Sequence, residues 1–198
     1  MPPEALLAVD SPMAVLLSRH SVPALQLREP GPAQHEIDAA IDAALRAPDH
    51  GGLKPWRFVL IRGAARARLA ELFVRRMQQR EPPTPPGKID KARSMALNAP
   101  LVIAVAAQLQ LDHKVPELEQ LLAAGAGVMN LLNAFHAQGF GAVWLTGGNA
   151  YDPEIGKALG FDAQQRGLGF VYVGSKPPSG NPLPQRPERA AFVRDWSG

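Results

Sequence analysis

The 198-residue chain contains no cysteine. Disulfides, thiolate metal sites and a redox-active thiol are therefore excluded, so any redox chemistry must come from a bound cofactor. No apolar run reaches the ~18 residues needed to span a bilayer, and no membrane partner is expected. Met1-Pro2-Pro3-Glu4 lacks the basic and apolar regions of a secretion signal. Together with the missing cysteine, this points to a cytoplasmic protein. Charge of one sign is not in large excess: 21 basic and 18 acidic side chains leave a formal +3. Despite a sequence pI near 9.5, that excess is too small and scattered to imply a nucleic-acid partner.

Several catalytic signatures are missing too. Without a Gly-x-Ser-x-Gly elbow there is no sign of a hydrolase. Asp49 and His50 are adjacent, and neighbouring side chains diverge, so they read as a loop feature rather than a dyad. The histidines at 20, 35, 50, 113 and 136 show no ligand spacing, and no metal is expected. Gly139-Phe140-Gly141 lacks the third glycine of a dinucleotide fingerprint and precedes a strand rather than following one.

With 46% apolar residues, one domain over 13–198 is expected, with 1–12 as a loose extension and 176–198 as an extended arm. Apolar spacing predicts helices over 34–45, 64–79, 88–98 and 116–138. Strands are expected over 56–62, 100–107, 139–146 and 167–174. The uninterrupted apolar run of the second suggests burial on both faces. Glu81–Gly87 is too proline-dense for helix or sheet, and residues 190–196 could form a further strand. From Leu121 to Tyr151 there is no Asp, Glu, Lys or Arg. A helix so free of charge must be buried nearly all round, most easily against a partner subunit.

Two segments carry candidate chemistry. Ala47–Phe58 leads from a helix to a strand between Pro48 and Pro55. Gly51-Gly52 lets its backbone take positive φ or lie against a flat ligand, and it bears His50 and Lys54. Arg19-His20-Ser21 ends a short amphipathic helix with three side chains able to hold a phosphate. Arg19-His20-Ser21 and Arg46-Ala47-Pro48-Asp49-His50 match the FMN-dependent nitroreductase family. So do His113-Lys114-Val115-Pro116, Ala137-Gln138-Gly139-Phe140-Gly141 and the Trp144 turn. The chain thus resembles that family, and within it the small NAD(P)H nitroreductases with an Arg-Ala-Pro-Asp-His loop, from about Ala14 to Gly174.

The resemblance implies an α+β fold: a mixed sheet flanked by helices, in an intertwined homodimer whose C-terminal arm docks on the partner. It implies FMN as cofactor, with Arg19, His20 and Ser21 at the phosphate and ribityl end. Arg46 and His50 would flank the flavin, and Trp144, Leu145, Thr146 and Gly147 would pack against it. Trp144 could equally be plain core. Gln138 and Gly139 would line the NAD(P)H or acceptor side. No side chain is expected to be catalytic, because flavin N5 does the chemistry. NAD(P)H would deliver hydride to the flavin and then leave for a nitroaromatic or quinone acceptor, a ping-pong route. Dehalogenation, enone reduction, azole dehydrogenation or flavin breakdown on the same fold is the alternative, as is flavin binding without turnover. Gly52 and Val22-Pro23 replace residues that commonly touch the flavin ring in the family, leaving Arg46 and Lys54 as substitutes.

Overall fold

In the computed structural model, residues 11–177 and 185–198 are described. Ser11 caps the first helix, its Oγ accepting from the Ala14 N–H at 3.1 Å. That helix, α1, spans Pro12–Ser18, and α2 spans Gln34–Ala44. Glu36 steadies the start of α2 by accepting the Ala33 N–H at 2.7 Å. The chain then enters β1 (Trp56–Arg62), α3 (Ala64–Gln78), α4 (Pro86–Asn98) and β2 (Leu101–Gln108). The long helix α5 (Glu117–Ala137) leads to β3 (Gly141–Leu145), the short α6 (Pro153–Ala158) and β4 (Gln165–Gly174).

The strands lie in the order β1-β2-β4-β3. The expected mixed sheet is antiparallel at every described pairing. β2 and β3, joined through α5, do run in the same direction, as a parallel crossover would place them. However, β4 inserts between them and pairs antiparallel with both. β2 is buried on both faces because helices cover both. Leu101, Ile103 and Val105 pack with Ile37 of α2 and with Val128, Leu131 and Phe135 of α5. Val102 and Ala104 face Leu69 and Phe73 of α3 and Ala92 and Ala96 of α4.

Two expectations need correction. α4 begins inside the proline-dense stretch, at Pro86, because proline is tolerated in the first turn of a helix. Residues 190–196 form no strand. A 3₁₀ turn at Arg189–Ala191 is followed by irregular chain that makes no ladder hydrogen bonds to any strand among the described residues. Within a single chain α5 leaves Leu118 and Leu122 65% and 63% exposed, and Met129 exposed beside them. Among the described residues no helix is long and apolar enough to cross a membrane.

Candidate functional site

At the end of α1 the backbone turns at Arg19, whose N–H closes the helix on the Val15 carbonyl at 3.2 Å. The following Val22 N–H pairs with the Ala142 carbonyl at 3.0 Å, laying 19–22 beside the start of β3. His136, in the last turn of α5, contacts Ser18 Oγ through Nε2 at 2.9 Å. Lys176, just past β4, approaches its Nδ1 at 3.4 Å. His20 stands edge-on to His136, ring centroids 6.3 Å apart, with Nδ1 3.1 Å from the Ser18 carbonyl. Arg186, from the C-terminal arm, donates to the Arg19 carbonyl at 2.5 Å. Ser18 Oγ itself donates to the Val15 carbonyl, so the Nε2–H tautomer of His136 satisfies the whole set.

These cations converge without a counter-charge. None of Arg19, Lys176 and Arg186 makes an ion pair with a carboxylate among the described residues. The cost shows in the titration of the groups. Burial, then Lys176, His20 and Arg19, push His136 down to about 4. Burial and then Arg186 lower Arg19, and burial lowers Lys176. Such a cluster offers positive charge and several N–H donors, which could hold an anion with several acceptor oxygens such as a phosphate monoester. Ser21 is exposed at its border, next to Val22.

Sequence reasoning found Arg19, His20 and Ser21 but missed His136, Lys176 and Arg186 as members of the cluster. The one signal available was weak: the proline-dense arm carries Lys176 and Arg186 with no acidic residue between them.

β3 leads from this cluster to a glycine turn. Trp144 is half-buried on the α5 side of the sheet, its Nε1 donating to the Leu168 carbonyl at 3.0 Å. It rests on Gly169, where a Cβ would lie 2.4 Å from the indole nitrogen, next to the register shift between Val105 and Ala106. Leu145 points the other way, into the α3/α4 core. Thr146 and Gly147 are exposed. Gly147 has φ 110° and open space where a side chain would stand, so a flat ring can approach its backbone. Beneath the turn lies Arg80, also missed. It donates to Asn149 Oδ1 at 2.7 Å and would sit 2.9 Å from a Cβ on Gly148.

The Ala47–Phe58 loop has the expected backbone, with φ of 78° at Gly51 and 66° at Gly52, and Lys54 is also positive at 51°. Asp49 closes the loop by accepting the Lys54 N–H at 2.7 Å and does not touch His50. The imidazole instead meets Glu119, Nδ1 to Oε2 at 2.5 Å. Arg46 is exposed at the end of α2. Gln138 donates to the Glu36 carbonyl at 3.0 Å, tying the end of α5 to α2, while its Oε1 is buried without a partner among the described residues. Gly139 follows with φ 92°.

The expected site residues thus fall into two groups. Arg19, His20, Ser21 and Trp144–Gly147 share the β3 edge of the sheet, and Gln138-Gly139 sits where α5 turns into it. His50 is on the β1 side, against the first turn of α5. At 1.5 Å per residue, the 17 positions from Glu119 to His136 separate the groups by about 25 Å along α5. That exceeds the reach of one FMN molecule from phosphate to ring. A single chain does not bring His50 to the Arg19 cluster.

Comparison with known proteins agrees with this architecture. The model of the Nitroreductase family matches residues 16–175. The Escherichia coli K12 protein YdjA, provisionally named an NAD(P)H nitroreductase, is 36% identical over 82% of this chain and 87% of its own. A nitroreductase-like family protein from Bacillus cereus superposes with a TM-score of 0.75 at 23% identity, covering 95% of this chain and 97% of that one. A Desulfovibrio desulfuricans structure, described as a nitroreductase in complex with FMN, gives 0.72 at 19% identity over 96% and 99% of the two chains. A match over most of its length and a relative above 30% identity place this chain in the nitroreductase family.

Proposed function

We propose that the protein is a cytoplasmic FMN-dependent oxidoreductase that draws electrons from NAD(P)H and passes them to a nitroaromatic or quinone-type acceptor. The observation that carries this reading is the uncompensated cluster of Arg19, Lys176 and Arg186 around His136, joined by β3 to an open glycine turn. A flavin mononucleotide needs both features, a cationic seat for its phosphate and exposed backbone beside its ring. Bound there, FMN would supply the two-electron chemistry between a nicotinamide and an acceptor.

The chain's own residues bind and orient. Arg19, His20 and Ser21 hold the phosphate and ribityl end together with Lys176 and Arg186. Gly147 offers its backbone to the ring, and Trp144 and Leu145 fix the strand that carries it. Arg80, pinned under the turn by Asn149 and 3.7 Å from Asp152, keeps a positive charge near it. Gln138 and Gly139 border the nicotinamide or acceptor side. Because one cleft serves both in turn, the kinetics are ping-pong.

The site is completed by a second copy of the chain in a C2 homodimer. Arg46 and His50 flank the flavin, His50 from the partner subunit because its own Arg19 cluster lies too far away. The exposed Leu118, Leu122 and Met129 on α5, and Phe192, Val193 and Trp196 in the arm, supply apolar surface for that association.

The test is spectroscopic and kinetic. Protein titrated with FMN should show shifted oxidised-flavin bands, and NADH or NADPH oxidation should accelerate when a nitroaromatic is added. Failure to bind FMN refutes the reading. Binding without turnover reduces the protein to flavin storage or sensing.

A further inference from the structure

The His50–Glu119 contact is not explained by the fold. It joins residues 69 positions apart, yet the elements that carry them are already fixed by other means. Gln120, the only polar side chain among the buried residues described, accepts the Gln110 N–H at 2.9 Å. It also donates to the Gln110 and Val115 carbonyls at 3.1 and 2.9 Å, locking the start of α5 to the preceding loop. Trp56 at the head of β1 donates to the Ala123 carbonyl at 2.9 Å, locking the same helix to the end of the His50 loop. The pair itself is open to solvent, its side chains 67% and 44% exposed. An exposed ion pair adds little to stability. What it does set is the direction of the imidazole.

The backbone beneath His50 is held just as firmly. Three departures into positive φ within four residues, at Gly51, Gly52 and Lys54, are closed by the Asp49 carboxylate on the Lys54 N–H. Positive φ at a non-glycine residue costs free energy and persists where the surroundings demand it. Asp49 is thereby spent on the backbone, leaving Glu119 as the carboxylate for the ring. Next to the pair opens a cavity of about 300 Å3, walled by Pro48, Leu122 and Ala126. It lies on the exposed apolar face of α5, where the second copy would stand.

We propose that Glu119 is the positioning residue of His50 in the flavin site. It holds the ring with Nδ1–H on the carboxylate, so that Nε2, which has no partner among the described residues, is presented to the partner subunit's flavin. In the neutral ring Nε2 is then an acceptor, suited to a hydroxyl or N–H group of the ligand. This inference rests on the shared-site reading above.

The experiment is FMN titration of the apo-protein by flavin fluorescence, with visible spectra of the loaded forms and thermal melts of the apo forms. It uses the wild type, His50→Ala, Glu119→Ala, Glu119→Gln and the double alanine variant. His50→Ala is expected to raise the FMN Kd by about 10-fold and Glu119→Ala by about 5-fold. The amide oxygen of Glu119→Gln still accepts from Nδ1 and should restore affinity to within about 2-fold of wild type. The double variant should be no weaker than His50→Ala alone, because Glu119 acts through the ring. Apo melting temperatures should stay together.

Additive losses in the double variant overturn the proposal, and so does a Glu119→Ala melt that falls in step with affinity. Two further outcomes separate the layers of the argument. If His50→Ala binds FMN as the wild type does, the shared contact is wrong and this inference falls with it. If His50→Ala weakens binding while both Glu119 variants do not, only the role given to Glu119 is refuted.

Discussion

Replacing Arg19 with alanine should have opposite consequences for the empty and the loaded protein. In the empty protein, Arg19 is a partly buried cation facing Arg186, and both its burial and that neighbour lower its affinity for a proton. Removing it relieves repulsion among Arg186, Lys176 and the His20–His136 pair, and no carboxylate among the described residues loses a partner. The apo-protein should therefore melt at an unchanged or slightly higher temperature, since screened repulsion between part-exposed charges amounts to only tenths of a kcal/mol. If Arg19 holds the FMN phosphate as proposed, the same change in the loaded protein removes a charge-assisted contact worth about 2–3 kcal/mol. FMN affinity should fall about 30- to 150-fold. The assay is calorimetric or fluorescence titration of apo Arg19→Ala with FMN, paired with melts of both forms at low and high salt. High salt should raise the apo wild-type melting temperature and narrow the gap to the variant, because it screens the same repulsion. Unchanged FMN affinity would refute the phosphate assignment. An apo variant less stable than wild type would show that Arg19 holds the fold and not the ligand.

Other consequences are equally direct. His136, pushed down to about 4, stays neutral in the folded apo-protein while an unfolded chain takes up a proton near 6.5. Apo stability is therefore full above pH 6.5 and is lost as pH falls toward 4, and His136→Asn should flatten that profile in chemical denaturation. Gly127→Ala would place a Cβ 2.5 Å from the Trp56 indole in the α5–β1 packing. The cost should be about 1–3 kcal/mol, seen as a melting temperature lower by about 2–12 °C. Light scattering of the wild type should give twice the 21.2 kDa chain mass, whereas Leu122→Asp on the exposed face of α5 should lower that mass and weaken FMN retention together. A wild-type monomer loaded with flavin would contradict the shared site.

Much of this molecule is written locally. The apolar run of β2 needs cover on both faces, and the 3- and 4-residue spacing of Leu121, Gly125, Val128, Leu132 and Phe135 makes α5 a long helix. Two prolines and Gly51-Gly52 impose the shape of the His50 loop, because φ restrictions act on one residue at a time. Arg19-His20-Ser21 is legible for the same reason, three suitable side chains in a row at a helix end. Nothing local encodes the insertion of β4 between β2 and β3, since strand order is settled by which pairing buries most surface. Nor does any spacing bring Lys176 to His136, Arg186 to Arg19, or Glu119 to His50. These contacts join segments 40 to 69 residues apart or more, and they exist only once the sheet has set the ends of α5. The fold also decided what the resemblance left unplaced: Arg19 and His50 belong to opposite ends of one helix, because that helix holds a fixed length between them.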